Sequence, residues 1–166
     1  MSRLLLSLAV VAFFVLCAAG MRLGWRNRQR RQSRLPELPA VPADPGTPLM
    51  AELTGVYVGT TTAGDWQDRI VVHGLGNRAA TRVRLFNDGV LLDNAGGPLW
   101  IPADDLVDAR ADRALAGKAM GVDGLLVFRW RLGEHVLDSG VRGDDRDGYH
   151  EWITAVAATG KGGERS

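Results

Sequence analysis

The segment GLLVFRWRLGEHVLDSGV, residues 124–141, decides the fold. Apolar side chains occupy every second position from Leu126 to Leu132, and the intervening positions include Arg129. One face is therefore apolar and the other amphipathic, which is the period-two pattern of a half-buried β-strand. Gly133 opens a turn, and Val136–Val141 continues as a second strand. The segment predicts an antiparallel pair within a β-rich domain.

Further strand-like runs precede this pair, rich in β-branched and aromatic residues and separated by Gly, Asp and Asn. The clearest turn is Asn87-Asp88-Gly89, whose residue types accept the positive φ of a tight hairpin. The predicted strands are Leu53–Thr62, Asp68–Leu75, Thr81–Phe86, Val90–Asp93, Leu99–Ile101 and Leu106–Asp112. Leu106–Asp112 is only a candidate, so together with the first pair these runs predict about seven antiparallel strands.

A helix is predicted from Asp145 to Thr159, although Gly148 leaves its first turn open. Tyr149, Trp152, Ile153 and Val156 recur at helical spacing and form one apolar face. A sheet of this size must cover one face and its edges, and a terminal helix with an apolar face does so. We therefore expect a mainly β fold, a small β-barrel or orthogonal sandwich of about 110 residues capped by a C-terminal α-helix.

The charges divide the chain into two regions. Residues 1–34 hold seven Arg and no acidic residue, whereas residues 35–166 hold thirteen basic and nineteen acidic residues. Eighteen uncharged residues, Leu4–Met21, would form about 27 Å of helix, close to the hydrocarbon thickness of a bilayer. The small residues at Cys17-Ala18-Ala19 suit a cleaved secretory signal instead. The positive charges that follow the apolar run favour an uncleaved anchor, with the N-terminus outside and the C-terminal domain in the cytoplasm.

Six arginines follow the predicted span: Arg22, Arg26, Arg28, Arg30, Arg31 and Arg34. They determine the topology and would also lie against anionic headgroups, so the bilayer is the first predicted partner. No aromatic scaffold accompanies them to read bases, and we expect no nucleic-acid partner. The predicted organisation is a transmembrane helix at 1–25, a basic juxtamembrane segment at 26–34, a proline-rich linker at 35–48, the β-domain at 49–160 and a disordered tail at 161–166.

The proline-rich linker repeats with a period of three. Its prolines are Pro36, Pro39, Pro42, Pro45 and Pro48, which is the spacing of a polyproline II helix. A semi-rigid spacer that holds the domain away from the bilayer is one interpretation, and a PxxP docking ligand is the other.

Several segments of the β-domain resemble the PH-like domain of small single-span membrane proteins of actinobacteria. They are TGVYVGTTTAGDWQDRIVVHGLG (Thr54–Gly76), LWIPADDL (Leu99–Leu106), RALAGK (Arg113–Lys118), GLLVFRWRLG (Gly124–Gly133) and LDSGVRGDD (Leu137–Asp145). The resemblance covers roughly residues 50–158 and implies seven strands, a C-terminal helix and a membrane anchor. Genes of that family often lie among pyrimidine-biosynthesis genes. Its motifs are structural, so no active-site residue carries over.

Several segments match part of a catalytic or cofactor-binding motif, but each lacks the neighbouring residues or elements that the motif requires. The sequence from Gly74 to Ala79 matches a dinucleotide-binding loop, but a strand rather than a helix is predicted to follow it. Neither end of the loop around Gly148 has the ligands of a calcium-binding EF-hand. Ser139 lacks a nucleophile elbow, Asp104 and Asp105 suit a turn, and the three histidines lack neighbours at ligand spacing. We therefore expect no enzyme activity, cofactor or metal.

A basic strip is the candidate ligand site: Arg69, Arg78, Arg82 and Arg84. We expect Asp65, Asp68 and Asp88 to neutralise part of it as surface ion pairs. The leading hypothesis is a membrane-anchored adaptor that docks a cytoplasmic protein through a strand edge or beside the helix. The alternatives are an anionic headgroup-binding domain and an accessory subunit of a membrane transport or export system.

Overall fold

The computed structural model describes residues 7–8, 10–22, 35–115, 118–119 and 124–160. The chain divides into two compact units, Met1–Arg34 and Leu35–Ser166. In the first unit, residues 7–8 and 10–22 are helical, and we call residues 10–22, which include Arg22, helix α1. No helix within these described ranges is long and apolar enough to cross a membrane. The remaining predicted lipid-contacting arginines and the predicted tail at 161–166 lie outside the described residues.

The second unit is built on an antiparallel sheet, and the seven strands described in it run in the order β4-β3-β2-β1-β9-β8-β5. Two further short strands, β6 and β7, form a separate hairpin. The strands are β1 (Leu53–Thr62), β2 (Ala79–Phe86), β3 (Gly89–Asn94), β4 (Gly97–Pro102), β5 (Leu106–Asp112), β6 (Ala114–Leu115), β7 (Lys118–Ala119), β8 (Leu125–Leu132) and β9 (His135–Gly143). Seven antiparallel strands in one sheet confirm the predicted mainly β fold.

One face of the sheet encloses a single large core, to which all seven strands contribute. The predicted apolar side of β8 lies in it, with Leu126, Phe128 and Trp130 fully buried and Leu132 4% exposed. This confirms that the alternation in β8 marks its inner face. Helix α2, Tyr149–Gly160, covers the core and packs against β5.

The predicted apolar face of α2 is confirmed. Tyr149, Trp152 and Val156 are buried, and the ring of Trp152 meets that of Phe128 edge to face, with centroids 6.3 Å apart. The helix begins four residues later than predicted, because Asp145 forms a turn before it. The carboxylate of Asp145 accepts a hydrogen bond from the backbone N–H of Asp147 at 2.9 Å.

The predicted strand at Asp68–Leu75 is wrong. This segment is a loop with one bridge to β1, between Thr61 and Arg69, and a short 3-10 turn at Val72–Gly74. Its β-branched residues suggested a strand, but β2 pairs only with the first half of β1, and the loop fills the position beside the second half. Backbone hydrogen bonds from Thr60 to Leu75 and from Ile70 to Thr60, both 2.9 Å, hold it there.

The proline-rich linker packs on the domain, which differs from the free spacer expected from the sequence. Leu35 is 8% exposed and belongs to the core, and Leu38 packs against that core. Pro36 lies so near the β8–β9 turn that a Cβ added at Gly133 would come within 3.0 Å of its ring. Val41 packs on the opposite face of the sheet. The physical reason is that these apolar side chains leave water by lying on the domain.

Candidate interaction surfaces

The structure brings two arginines of the predicted strip together on the outer face of β2. Val83 and Leu85 point into the core, so Arg82 and Arg84 point outward, as predicted. Arg84 is half-buried and forms an ion pair with Asp93 of β3 at 3.4 Å. Arg82 is exposed and stands directly opposite Asp93 in the β2–β3 register. A carboxylate on the neighbouring strand therefore offsets the charge of this pair.

The other two arginines of the strip do not extend this surface. The guanidinium of Arg69 donates hydrogen bonds to the backbone carbonyls of Gly76, at 2.7 Å, and Val58, at 3.2 Å. It therefore ties the β1–β2 loop to β1. Arg78 is exposed and lies just before β2.

Two of the acidic residues expected to neutralise the strip accept hydrogen bonds within β1 and the β1–β2 loop. Asp68 accepts a hydrogen bond from the hydroxyl of Thr62 at 2.7 Å, and Asp65 caps its own turn by accepting from the backbone N–H of Gln67 at 3.0 Å. Asp93, which the sequence analysis did not name, forms the ion pair with Arg84 of the strip. The pairing expected for Asp65, Asp68 and Asp88 stays a prediction.

An open cleft of about 490 Å³ lies beside Arg82. Its polar lining includes Thr54, Arg82, Asp93, Asn94 and Asp144. Two carboxylates and one guanidinium give this cleft an acidic balance. A phosphate group would meet Arg82 and also the repulsion of both carboxylates.

A buried carboxylate organises the other half of the sheet. Asp138 of β9 is 3% exposed at its side chain and accepts two hydrogen bonds from Arg129 of β8, at 2.8 and 2.9 Å. Arg110 of β5 donates a further bond to it at 2.8 Å. Burial by itself would raise the pKa of Asp138, but the hydrogen bonds from both arginines outweigh it and hold the pKa below its usual value. The cluster locks β5, β8 and β9 together.

The two edges of the sheet differ. Strand β4 carries Pro98 and Pro102, which lack the N–H that an added strand would use. Strand β5 contains no proline and, among the described strands, pairs only with β8. A bulge at the start of β5 leaves Val107 without an opposite residue on β8, and its side chain is 44% exposed. Among the described strands, the outer edge of β5 is therefore unpaired and carries no proline, and α2 packs against this strand.

A family model described as "Bacterial PH domain-like" matches residues 35–157. The chain belongs to the bacterial PH domain-like family. No curated protein matches the chain. PH-like domains generally mediate protein or lipid interactions and are generally non-catalytic. The match begins at residue 35, so the PH-like domain includes the proline-rich segment that packs on it. The narrower group of actinobacterial membrane proteins stays a prediction.

The hydroxyl of Ser139 lies inside the core of the PH-like domain. It accepts a hydrogen bond from the indole N–H of Trp130 at 2.9 Å and contacts the hydroxyl of Thr60 at 2.6 Å. Thr60 contacts the hydroxyl of Tyr57 at 2.6 Å, and Tyr57 donates to the carbonyl of Leu75 at 2.9 Å. The carbonyl of Leu75 can only accept, so Tyr57 donates to it, Thr60 donates to Tyr57, and Ser139 donates to Thr60. This series of hydrogen bonds joins β8, β9, β1 and the β1–β2 loop.

The other motifs weighed in the sequence lie in turns and strands. The segment from Gly74 to Ala79 leads into strand β2, as predicted. Asp104 and Asp105 lie in a short 3-10 turn. Within the described residues, no three His, Cys, Asp or Glu side chains lie close enough to hold a metal ion.

Sequence reasoning missed Asp93, Asp138 and the difference between the two sheet edges. Each depends on which strand lies beside which. The two prolines of β4 were a visible signal for the blocked edge.

Proposed function

We propose that this protein is a membrane-anchored, non-enzymatic adaptor whose PH-like domain docks a protein partner along the edge of β5. The observation that carries the proposal is the edge of β5, which contains no proline and, among the described strands, pairs only with β8. An extended segment of a partner would add to the sheet there through backbone hydrogen bonds, and its side chains would contact α2.

The charges on β5 define the partner's chemistry. Asp108 and Asp112 flank Arg110, and their side chains are 47% and 35% exposed. Arg110 itself forms an ion pair with Asp138. The cluster of Arg110 and Arg129 with Asp108, Asp112 and Asp138 has more carboxylates than guanidiniums. A partner strand with Lys or Arg beside the two exposed carboxylates complements this edge.

Headgroup binding is the second candidate, and the exposed guanidinium of Arg82 favours it. Three observations count against it: Arg69 is bound to backbone carbonyls, Arg84 is paired with Asp93, and Asp144 lines the cleft beside Arg82. Residues 35–166 also carry a net negative charge, which an anionic leaflet repels.

The N-terminal segment supplies the proposed membrane anchor. Its support comes from the uncharged run Leu4–Met21, the arginines that follow it, and the exposure of apolar side chains on α1, such as Phe13 at 66% and Leu16 at 74%. The excess of Arg after the run places the PH-like domain in the cytoplasm in this proposal. Protease added to intact cells should therefore spare a C-terminal tag, and digestion of that tag would contradict the orientation.

Proximity labelling by the full chain in cells tests the function. We expect one or a few proteins to be enriched by the wild type and lost in the double variant Asp108→Lys, Asp112→Lys. Asp88→Lys, on the β2–β3 turn, is the matched control and should keep the labelling. Equal labelling by all three chains would contradict docking at β5.

A titration of the full chain with a soluble inositol phosphate tests the second candidate. Adaptor function predicts no saturable binding. Saturable binding that is lost in Arg82→Glu would favour the headgroup candidate.

A further inference from the structure

The open cleft of about 490 Å³ beside Arg82 is lined in part by small residues. They are Gly55 on β1, Ala80 on β2 and Ala95 between β3 and β4. Both alanines are exposed. These short side chains leave room for a ligand between the charged residues around them.

Charged side chains of both signs line the same cleft. Arg82 on β2 stands directly opposite Asp93 on β3, and Asp144 follows β9. The backbone N–H of Asp144 donates to the carbonyl of Thr54 at 2.9 Å, which holds this acid beside β1. A purely anionic ligand would meet two carboxylates, and a purely cationic ligand would meet a guanidinium. A ligand with one positive and one negative group complements both signs.

Two buried oxygen atoms of residues that line the cleft lack a hydrogen-bond donor. They are Oγ1 of Thr81 and Oδ1 of Asn94, and neither has a partner among the described residues. Thr81 is 4% exposed, and it stands directly opposite Asn94 in the β2–β3 register. A buried polar atom without a partner lowers stability, so its presence needs an explanation. A ligand with several N–H donors supplies what these two oxygens lack.

A primary ammonium group fits this set of acceptors. It carries three N–H donors and a positive charge, so it can donate to Thr81 or Asn94 and also pair with a carboxylate of the cleft. A quaternary ammonium has the same charge but no N–H to donate. The guanidinium of Arg82 is then left for the negative group of the ligand, and phosphate and carboxylate are the usual partners of a guanidinium.

We propose that this cleft binds a small zwitterion in which a primary ammonium lies close to a phosphate or a carboxylate. The phosphoethanolamine headgroup of a lipid and a free amino acid both have this chemistry. Because such a ligand has no net charge, the net negative charge of residues 35–166 does not repel it. The cleft lies beside β1, β2 and β3, apart from the β5 edge, so this proposal goes beyond the adaptor function and the two fail separately.

Calorimetric titration of the purified full chain with small soluble probes tests the ligand chemistry. We expect saturable binding of glycerophosphoethanolamine. Glycerophosphocholine keeps both charges but has no N–H donor on its ammonium, so it should bind at least about tenfold more weakly, the cost of one hydrogen bond to a charged group. Inorganic phosphate and ethanolamine, which carry only one sign of charge, should be weaker by at least the same factor. β-Alanine has a carboxylate in place of the phosphate. Tighter binding of glycerophosphoethanolamine than of β-alanine assigns the lipid headgroup as the source, and the reverse order assigns a free amino acid.

Substitutions test which residues hold the ligand. Thr81→Val removes a hydroxyl that has no partner, so the free chain should be at least as stable in urea as the wild type, while zwitterion binding weakens about tenfold. Thr61→Val is the matched control, because Thr61 is 0% exposed and also has an unpartnered Oγ1 but lies at the other end of β1 from the cleft. It should leave binding unchanged. Arg82→Gln and Asp144→Asn should each weaken binding by about tenfold, and Arg131→Gln, at an exposed position on β8, should not.

Several results would overturn the proposal. They are a lack of saturable binding by both zwitterions, equal binding of glycerophosphocholine and glycerophosphoethanolamine, and an equal effect of Thr81→Val and Thr61→Val on binding. Saturable calcium binding in place of zwitterion binding, lost in Asp144→Asn, would also overturn it, because it would assign the oxygen atoms of the cleft to a metal ion. These outcomes leave the proximity labelling through β5, and with it the adaptor function, unaffected.

Discussion

Ser139 is the second member of the buried hydrogen-bond series from Trp130 to Leu75, in which each hydroxyl is both donor and acceptor. Ser139→Ala leaves the indole N–H of Trp130 without its acceptor and Thr60 without its donor. We expect a loss of about 1 to 3 kcal/mol in the free energy of unfolding, the cost of unsatisfied buried polar groups. Urea unfolding measures it. Thr54→Ala, at an exposed site on β1, should change little. An equal effect of both substitutions would contradict the stabilising role of these hydrogen bonds.

Asp138 stabilises the fold through its charge. Asp138→Asn should cost about 3 kcal/mol at pH 7, the lower end for a broken buried ion pair, because both guanidiniums regain water at about 30% exposure. Since the pKa of Asp138 is lowered in the folded state, its contribution is complete above the unfolded pKa, near 4, and disappears as the pH falls through the folded pKa.

The pH dependence of that difference gives the measurement. Unfolding free energies of wild type and Asp138→Asn should differ by a constant amount from pH 5 to 7 and converge below about pH 4. Asp144→Asn is the control, because Asp144 is exposed and directly follows β9. A difference that stays constant down to pH 3 would contradict the stabilising role of the carboxylate.

At the scale of elements, α2 holds the core closed through Trp152. Trp152→Ala removes its contact with Phe128 and should cost about 3 to 5 kcal/mol, as for other large-to-small core changes. Thermal unfolding measures the effect, with the exposed neighbour Glu151→Ala as control. If Trp152→Ala melts within a few degrees of the wild type, α2 does not stabilise the sheet.

The proline segment is part of the folded domain, so a substitution in it should affect stability. Leu35→Ala should cost about 2 to 5 kcal/mol because Leu35 is 8% exposed in the core. Thr47→Ala, exposed in the same segment, should be nearly neutral. Chemical unfolding of the full chain compares the two. If Leu35→Ala leaves the free energy of unfolding unchanged, the segment does not stabilise the domain and the spacer interpretation is favoured.

For the whole molecule, local patterns predicted the elements, and long-range contacts determined the surfaces. Alternation along β8 and the helical spacing of Trp152 are periods within one element, so the sequence alone predicts them. The burial of Asp138 depends on Arg129 and Arg110 on two other strands, and on the bulge at Val107 that sets their register. No local pattern contains that information.

The proline segment illustrates the same limit. Its spacing predicted a polyproline period, and the half-buried positions follow that period. Whether it extends into solvent or lies on the domain depends on surfaces that several strands build together. The core takes Leu35 and Leu38, and the outer cluster of Phe86, Leu91 and Trp100 takes Val41. The spacing of the prolines alone cannot decide between a semi-rigid spacer and a docking ligand, because the two differ in what the segment contacts.

The most direct test of the account is photo-crosslinking from the edge of β5 in living cells. A photoreactive amino acid replaces Val107 in the full chain, and the same residue at Asp88 on the β2–β3 turn and at Arg82 on β2 provides the comparison. The account predicts a discrete protein adduct from position 107 and none from position 88. A lipid adduct from position 82, with no protein adduct from position 107, would contradict it.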